Sequence, residues 1–242
     1  METLKLPQET ALVLKNFTEE LALAFKGLLI SVNLYGSASS GEYSNKKSNL
    51  NVLIVLKSDC PEDLEKATAI LNKWKYRIIS PLFMSEEYIK ESCDVFPVEF
   101  LDIKENHSVL FGQDVFKDIS IDTRHLRFQC EHELKTKLIG LKQFYARSSK
   151  NKSILAEFLP KAITPLIHIL RNSIHIKGGR TPYSKTEAID LIGREYGIDS
   201  GLWRDVLAAK SGLQAIRPGD ANRYFIRFIE DVEKIAEKID RM

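Results

Sequence analysis

Residues 34–56 read LYGSASSGEYSNKKSNLNVLIVL. An apolar run ends at Gly36-Ser37, a turn and short helix lead into a polar hairpin, and a second apolar run opens behind Asn49 and Asn51. The runs at 30–35 and 51–56 are rich in Val, Ile and Leu and bounded by turn residues, which predicts two buried strands. A glycine where the first strand ends lets the backbone turn sharply into a helix N-terminus. The free N–H groups and positive dipole end there suit a phosphate. Asn49 and Asn51 stand two apart, so a strand projects both side chains to one face. Aspartates at those positions would hold Mg²⁺. Amides are neutral, and a hard divalent ion bound to phosphates relies on carboxylates for charge balance.

Outward from this stretch, residues 6–29 place Leu12, Leu14, Phe17, Leu21, Leu23 and Phe25 close to helical spacing. Pro61 opens a helix that continues through Glu62–Trp74. The segment YRIISPLFM predicts a strand, SEEYIKES a short helix capped by Ser85, and DVFPVEFLDI a further strand. From about Thr123 the strands stop. Segments 124–147, 152–176, 184–196, 200–210 and 220–241 read as helices. The supporting signals are a capping box Ser184–Glu187, candidate caps Ser200 and Asp220, and breaks at Gly178-Gly179 and Pro218-Gly219. The fold class is therefore α+β, a mixed sheet with flanking helices followed by an all-α helical bundle. The expected domains are 1–122 and 123–242.

The 242 residues carry a net charge of +2, unevenly spread. Residues 1–122 hold 13 Lys and Arg against 19 Asp and Glu, a net of −6; residues 123–242 hold 22 against 14, a net of +8. An acidic half joined to a basic half is read either as a holder of an anionic ligand or as ordinary surface charge. No motif for sequence-specific DNA binding is present. The three cysteines have neither CxxC spacing nor histidine partners, which points to reduced, structural thiols. No apolar run approaches the ~18 residues of a membrane span, so the expectation is a soluble cytoplasmic protein without a membrane partner. A homo-oligomer is compatible with the sequence.

Gly36-Ser37, Gly41, the hairpin and Ser48-Asn49-Leu50-Asn51 running into a strand together resemble the signature of the DNA polymerase beta-like nucleotidyltransferase superfamily. In that pattern Gly-Ser is followed roughly ten residues later by an Asp-x-Asp pair. The third acidic position lies on a later strand, where VFPVEFLDI supplies Glu99. The resemblance covers about residues 10–115, and a helical C-terminal domain is similar to that of the smaller bacterial members. It implies a catalytic face formed by Asn49, Asn51 and Glu99, a phosphate site around Gly36, Ser37 and Gly41, and Mg²⁺ as cofactor if the protein is active. The aspartate pair is replaced by asparagines.

Lys46 and Lys47 in the hairpin are read as phosphate contacts or as solvated surface. Asp102 competes with Glu99 from the opposite side of the same segment. Arg127 and His132 have the Arg-x4-His spacing of helical ribonucleases, but residues five apart do not share a helical face. Lys177, Arg180 and Lys185 surround an interhelical loop able to meet an anionic substrate. His168 and His175 lie within an apolar helix interrupted by Pro160 and Pro165, as satisfied or partly buried side chains.

Two functions follow. In one, the chain is a degenerate nucleotidyltransferase that keeps the fold and residual binding of a nucleoside triphosphate or other anionic small molecule, with a regulatory role. In the other, it still moves a nucleotidyl group to a small-molecule or macromolecular hydroxyl, with Glu99 and phosphate-bound Mg²⁺.

Overall fold

The computed structural model describes residues 6–39, 49–74, 79–179, 182 and 184–242. The chain divides into two compact units, Met1–Ile121 and Asp122–Met242.

The first unit is built on a mixed sheet. Helix α1 (Gln8–Ala24) precedes strand β1 (Leu29–Tyr35), and strand β2 (Leu50–Leu56) follows the turn. Next come α2 (Pro61–Leu64), a 3-10 turn Glu65–Ala67, α3 (Thr68–Trp74), β3 (Ile79–Ser85), α4 (Glu86–Glu91), α5 (Pro97–Glu105) and β4 (His107–Gly112). The strand order is β3-β2-β1-β4. β1 is antiparallel to β2 and β4, while β2 and β3 are parallel.

Alternation along β2 separates two cores. Leu50, Val52, Ile54 and Leu56 face the α1–α3 side, where Leu14, Phe17 and Leu21 of α1 meet Ile70 and Trp74 of α3. Leu53 and Val55 face the other side and pack with Ile89 of α4, Phe100 and Ile103 of α5, and Phe116. Every residue of β2 except Asn51 is buried. The continuous apolar character of the strand follows from cover on both faces. In α1, Leu12 and Leu23 are left exposed; the buried stripe is Leu14, Phe17 and Leu21.

Several sequence expectations change here. The segment around Pro97–Glu105 is a helix, not a strand: Pro97 occupies the first helical turn, where its missing N–H costs nothing. Phe100 and Ile103, three apart, then share the face buried against the sheet. The fourth strand is His107–Gly112, which sequence reading did not single out. The helix expected through Glu62–Trp74 is split by the 3-10 turn. Ser85 does cap α4, its hydroxyl accepting from the Tyr88 amide at 3.2 Å.

The second unit contains α6 (Thr123–Ser148), α7 (Lys152–Ile176), α8 (Lys185–Tyr196), α9 (Ser200–Ser211) and α10 (Pro218–Asp240). Ser184 caps α8 by accepting from the Glu187 amide at 3.5 Å. Asp199 rather than Ser200 caps α9, and α10 begins at Pro218 rather than Asp220. Helix α7 runs through Pro160 and Pro165 instead of breaking at them. It is long and apolar enough, by length and composition alone, to cross a membrane. In this bundle it is a core helix, burying Leu155, Leu159, Ile163 and Leu166 together with the polar Arg171, Asn172 and Ser173.

Phe144, Phe158 and Phe225 form an aromatic cluster joining α6, α7 and α10. Behind α9, the buried Trp203 donates its Nε1–H to Asp231 Oδ2 at 3.0 Å. Burial pushes the Asp231 carboxyl above its ordinary value, opposed by the Trp203 hydrogen bond and the charges of Arg227 and Lys234. The folded bundle therefore holds that proton more tightly than the unfolded chain. This contribution to stability is fully present below the unfolded value and is lost as pH rises through the raised folded value. Asp231→Asn keeps a carbonyl oxygen for Trp203 and is expected to flatten this part of the pH dependence. Urea midpoints measured from about pH 3.5 to about pH 7 check it: an unchanged slope in the variant would assign the dependence to other groups.

Candidate functional site

The antiparallel and parallel pairings bring four strand ends to one edge of the sheet. Tyr35 closes β1 and lies opposite Asn51 on one side and His107 on the other. Across the parallel pair, Asn51 lies opposite Ser80. Asn49 precedes β2 and is exposed, while Asn51 is half-buried. Asn51 shares its face with Leu53 and Val55, the side covered by α4 and α5.

Gly36 has φ +74°, a conformation that a side chain disfavours. A Cβ there would stand 3.0 Å from Asn51 Nδ2, so glycine also lets the turn lie against that amide. Ser37 sits in a 3-10 turn, Gly36–Ala38, and the continuation expected as a short helix lies outside the described residues after Ser39. Ser39 ties this turn to β4 through a 2.9 Å hydrogen bond with Ser108 Oγ. Below the edge, the same face of β1 carries two fully buried polar groups, and Asn33 Nδ2 donates to Ser31 Oγ at 2.9 Å.

The strand residues at this edge are amides, hydroxyls and one imidazole. Burial pushes the Tyr35 phenol up, keeping it a protonated donor. His107 is held in a corner, with Nδ1 2.9 Å from the Ile103 carbonyl and Nε2 3.0 Å from Asp114 Oδ1. No strand carries an aspartate or glutamate among the described residues, and no group of three His, Cys, Asp or Glu is placed to hold a metal. Glu99, expected on a strand beside β2, lies instead in the first turn of α5 with its side chain exposed. Asp102 is half-buried on the same helix. The donor set of two amides, a serine hydroxyl and a phenol does not fit Mg²⁺, which takes hard oxygen ligands and depends on carboxylate charge.

In fold, the chain is similar to an adenyltransferase. The solved structure is that of spectinomycin adenyltransferase AAD(9) from Enterococcus faecialis with ATP and spectinomycin, at TM-score 0.59 and 12% identity. The match covers 93% of this chain and 99% of that one. No family model matches the chain, and no curated protein matches it in sequence. The likeness is one of fold: a mixed sheet with flanking helices, then C-terminal helices, as the sequence led one to expect.

Of the remaining candidates, Gly41, Lys46, Lys47 and Arg180 lie outside the described residues. Lys177 is exposed, pairs with Glu195 at 3.1 Å and lies over the Tyr196 ring at 4.8 Å. Arg127 pairs with Glu131 at 2.8 Å, one helical turn away, and His132 is exposed. His168 and His175 are half-buried on α7. Sequence reading missed Ser80, Tyr35 and His107 at the edge. The first and last become visible only when the strand partners are known, whereas Tyr35 is adjacent to Gly36 and could have been included.

Proposed function

We propose that this protein is a nucleotidyltransferase-fold binding protein that has lost metal-dependent transfer. It takes a nucleoside triphosphate or a related anionic small molecule, serves a regulatory or ligand-holding role, and acts in the cytoplasm. The observation that carries the reading is the absence of any carboxylate on the described strands, with Asn51 facing Ser80 where a metal-binding face would need charge. The fold neighbour binds ATP and spectinomycin, which supports a nucleotide or small polar molecule as the class of ligand.

In this reading the turn at Gly36 and Ser37, with Gly41, Lys46 and Lys47, meets the phosphates. Asn49, Asn51 and the Tyr35 hydroxyl hydrogen-bond the ligand without a metal. Glu99 is not assigned a proton-transfer role, since it is on a helix and the strand that would have aligned it does not exist. The expected result is calorimetric binding of ATP that is as tight in EDTA as in Mg²⁺, with no release of pyrophosphate. Mg²⁺-dependent pyrophosphate release by the unmodified protein would overturn the proposal.

A further inference from the structure

A second feature lies wholly within the helical unit. Between α6 and α7 runs a groove of about 510 Å³, within the size range of small-molecule sites. Its aromatic wall is Phe144 stacked on Phe158, with centroids 3.7 Å apart and planes 19° from parallel. Gly140 and Pro165 line it further along, and Lys137 and Arg147 stand at its rim, with no acidic side chain among the lining residues.

The spacing explains the arrangement. Lys137, Gly140, Phe144 and Arg147 follow one another by three, four and three residues, so α6 presents them as one stripe. The two cations are ten residues apart, about 15 Å along the helix, and bracket the apolar floor. Neither makes an ion pair among the described residues. Gly140 is the unusual member. Glycine is a poor residue for a helix interior, and a Cβ at 140 would meet no atom within 4 Å, so no neighbour demands it. Its effect is to leave the groove open beside the aromatic pair.

We propose that this groove binds a small amphipathic anion: an aromatic body laid against Phe144 and Phe158, carrying one carboxylate, sulfonate or phosphate group that a rim cation meets. Apolar contact with the stacked Phe144–Phe158 pair accounts for the body and the one-sign charge of the lining for the head. The site is independent of the sheet edge and of the function proposed for it.

The test titrates the intact protein with 8-anilinonaphthalene-1-sulfonate and with its neutral counterpart, N-phenyl-1-naphthylamine, reading fluorescence and stoichiometry. The sulfonate should bind one to one and more tightly than the neutral dye. Gly140→Leu, which fills the groove with a better helix former, should weaken both dyes at least about tenfold while the circular dichroism and thermal midpoint hold or rise. Lys137→Gln with Arg147→Gln should weaken the sulfonate by about tenfold and leave the neutral dye unchanged. Unchanged sulfonate binding in Gly140→Leu overturns the site, and equal binding of both dyes overturns its preference for an anion. A dimer that sediments as monomer only in Gly140→Leu also overturns the proposal, by assigning the groove to contact between copies of the chain.

Discussion

The triple variant Asn49→Asp, Asn51→Asp, Ser80→Glu is expected to bind Mg²⁺-ATP at least about a hundredfold more tightly than the unmodified protein, and Asn49→Asp with Asn51→Asp about tenfold. Asn49 immediately precedes β2 and Asn51 is its second residue, so extended backbone continued back to Asn49 would bring two anions to one side. The parallel register sets Ser80 directly across from Asn51, which makes β3 the neighbouring strand able to bring a third. Three carboxylates crowded at a sheet edge repel one another when no cation is bound. The triple variant should therefore melt below the parent in EDTA, and Mg²⁺ should raise its midpoint through preferential binding to the folded state. Calorimetry with and without Mg²⁺, alongside thermal melts in both conditions, reads the two effects separately. Tighter binding in the double variant with no further gain in the triple would mean that β3 does not contribute a ligand. No gain in either would mean that the edge no longer forms a cation pocket, even with its charges restored.

Gly112→Ala should strongly destabilise the first unit, costing about 3 kcal/mol or more. Gly112 ends β4 at φ +79°, opposite Ser31 of β1. A Cβ there would fall 1.9 Å from the Ile30 carbonyl oxygen and 3.0 Å from Ser31 Cα. Both obstacles are backbone of the neighbouring strand, so no rotamer change relieves them, and the alternative is to pull β4 away from β1. Separation would expose the His107 corner and the packing of Phe116 against Phe100 and the His107 ring. Hydrogen exchange followed by mass spectrometry should show lost protection in β1 and β4, while the amides of α6 and α7 keep theirs. A variant whose β1 and β4 amides exchange as slowly as in the parent would show that the strand end can shift without cost.

Elements with local signals were legible from residue order alone. The strands around 30–35 and 51–56 are apolar runs between turn residues, and the C-terminal helices show periodicity and, at Ser184, a cap. The second apolar run was legible as a strand, but its start was not: β2 begins at Leu50, so Asn49 stands exposed before it and Asn51 half-buried within it. Elements that depend on partners distant in sequence were not legible in that way. PVEFLDIKE reads as well for a strand as for a helix, because a short apolar run fits both periods. It is a helix because Pro97 can start one and because Phe100 and Ile103, three apart, find Leu53 and Val55 to cover. HSVLFG becomes a strand because the second edge of β1 offers hydrogen bonds to it. Ser80 reaches Asn51 only through the parallel register of β2 and β3. Alternation within a strand tells which side chains share a face; which residues of other strands complete that face is set by pairing between segments far apart in the chain.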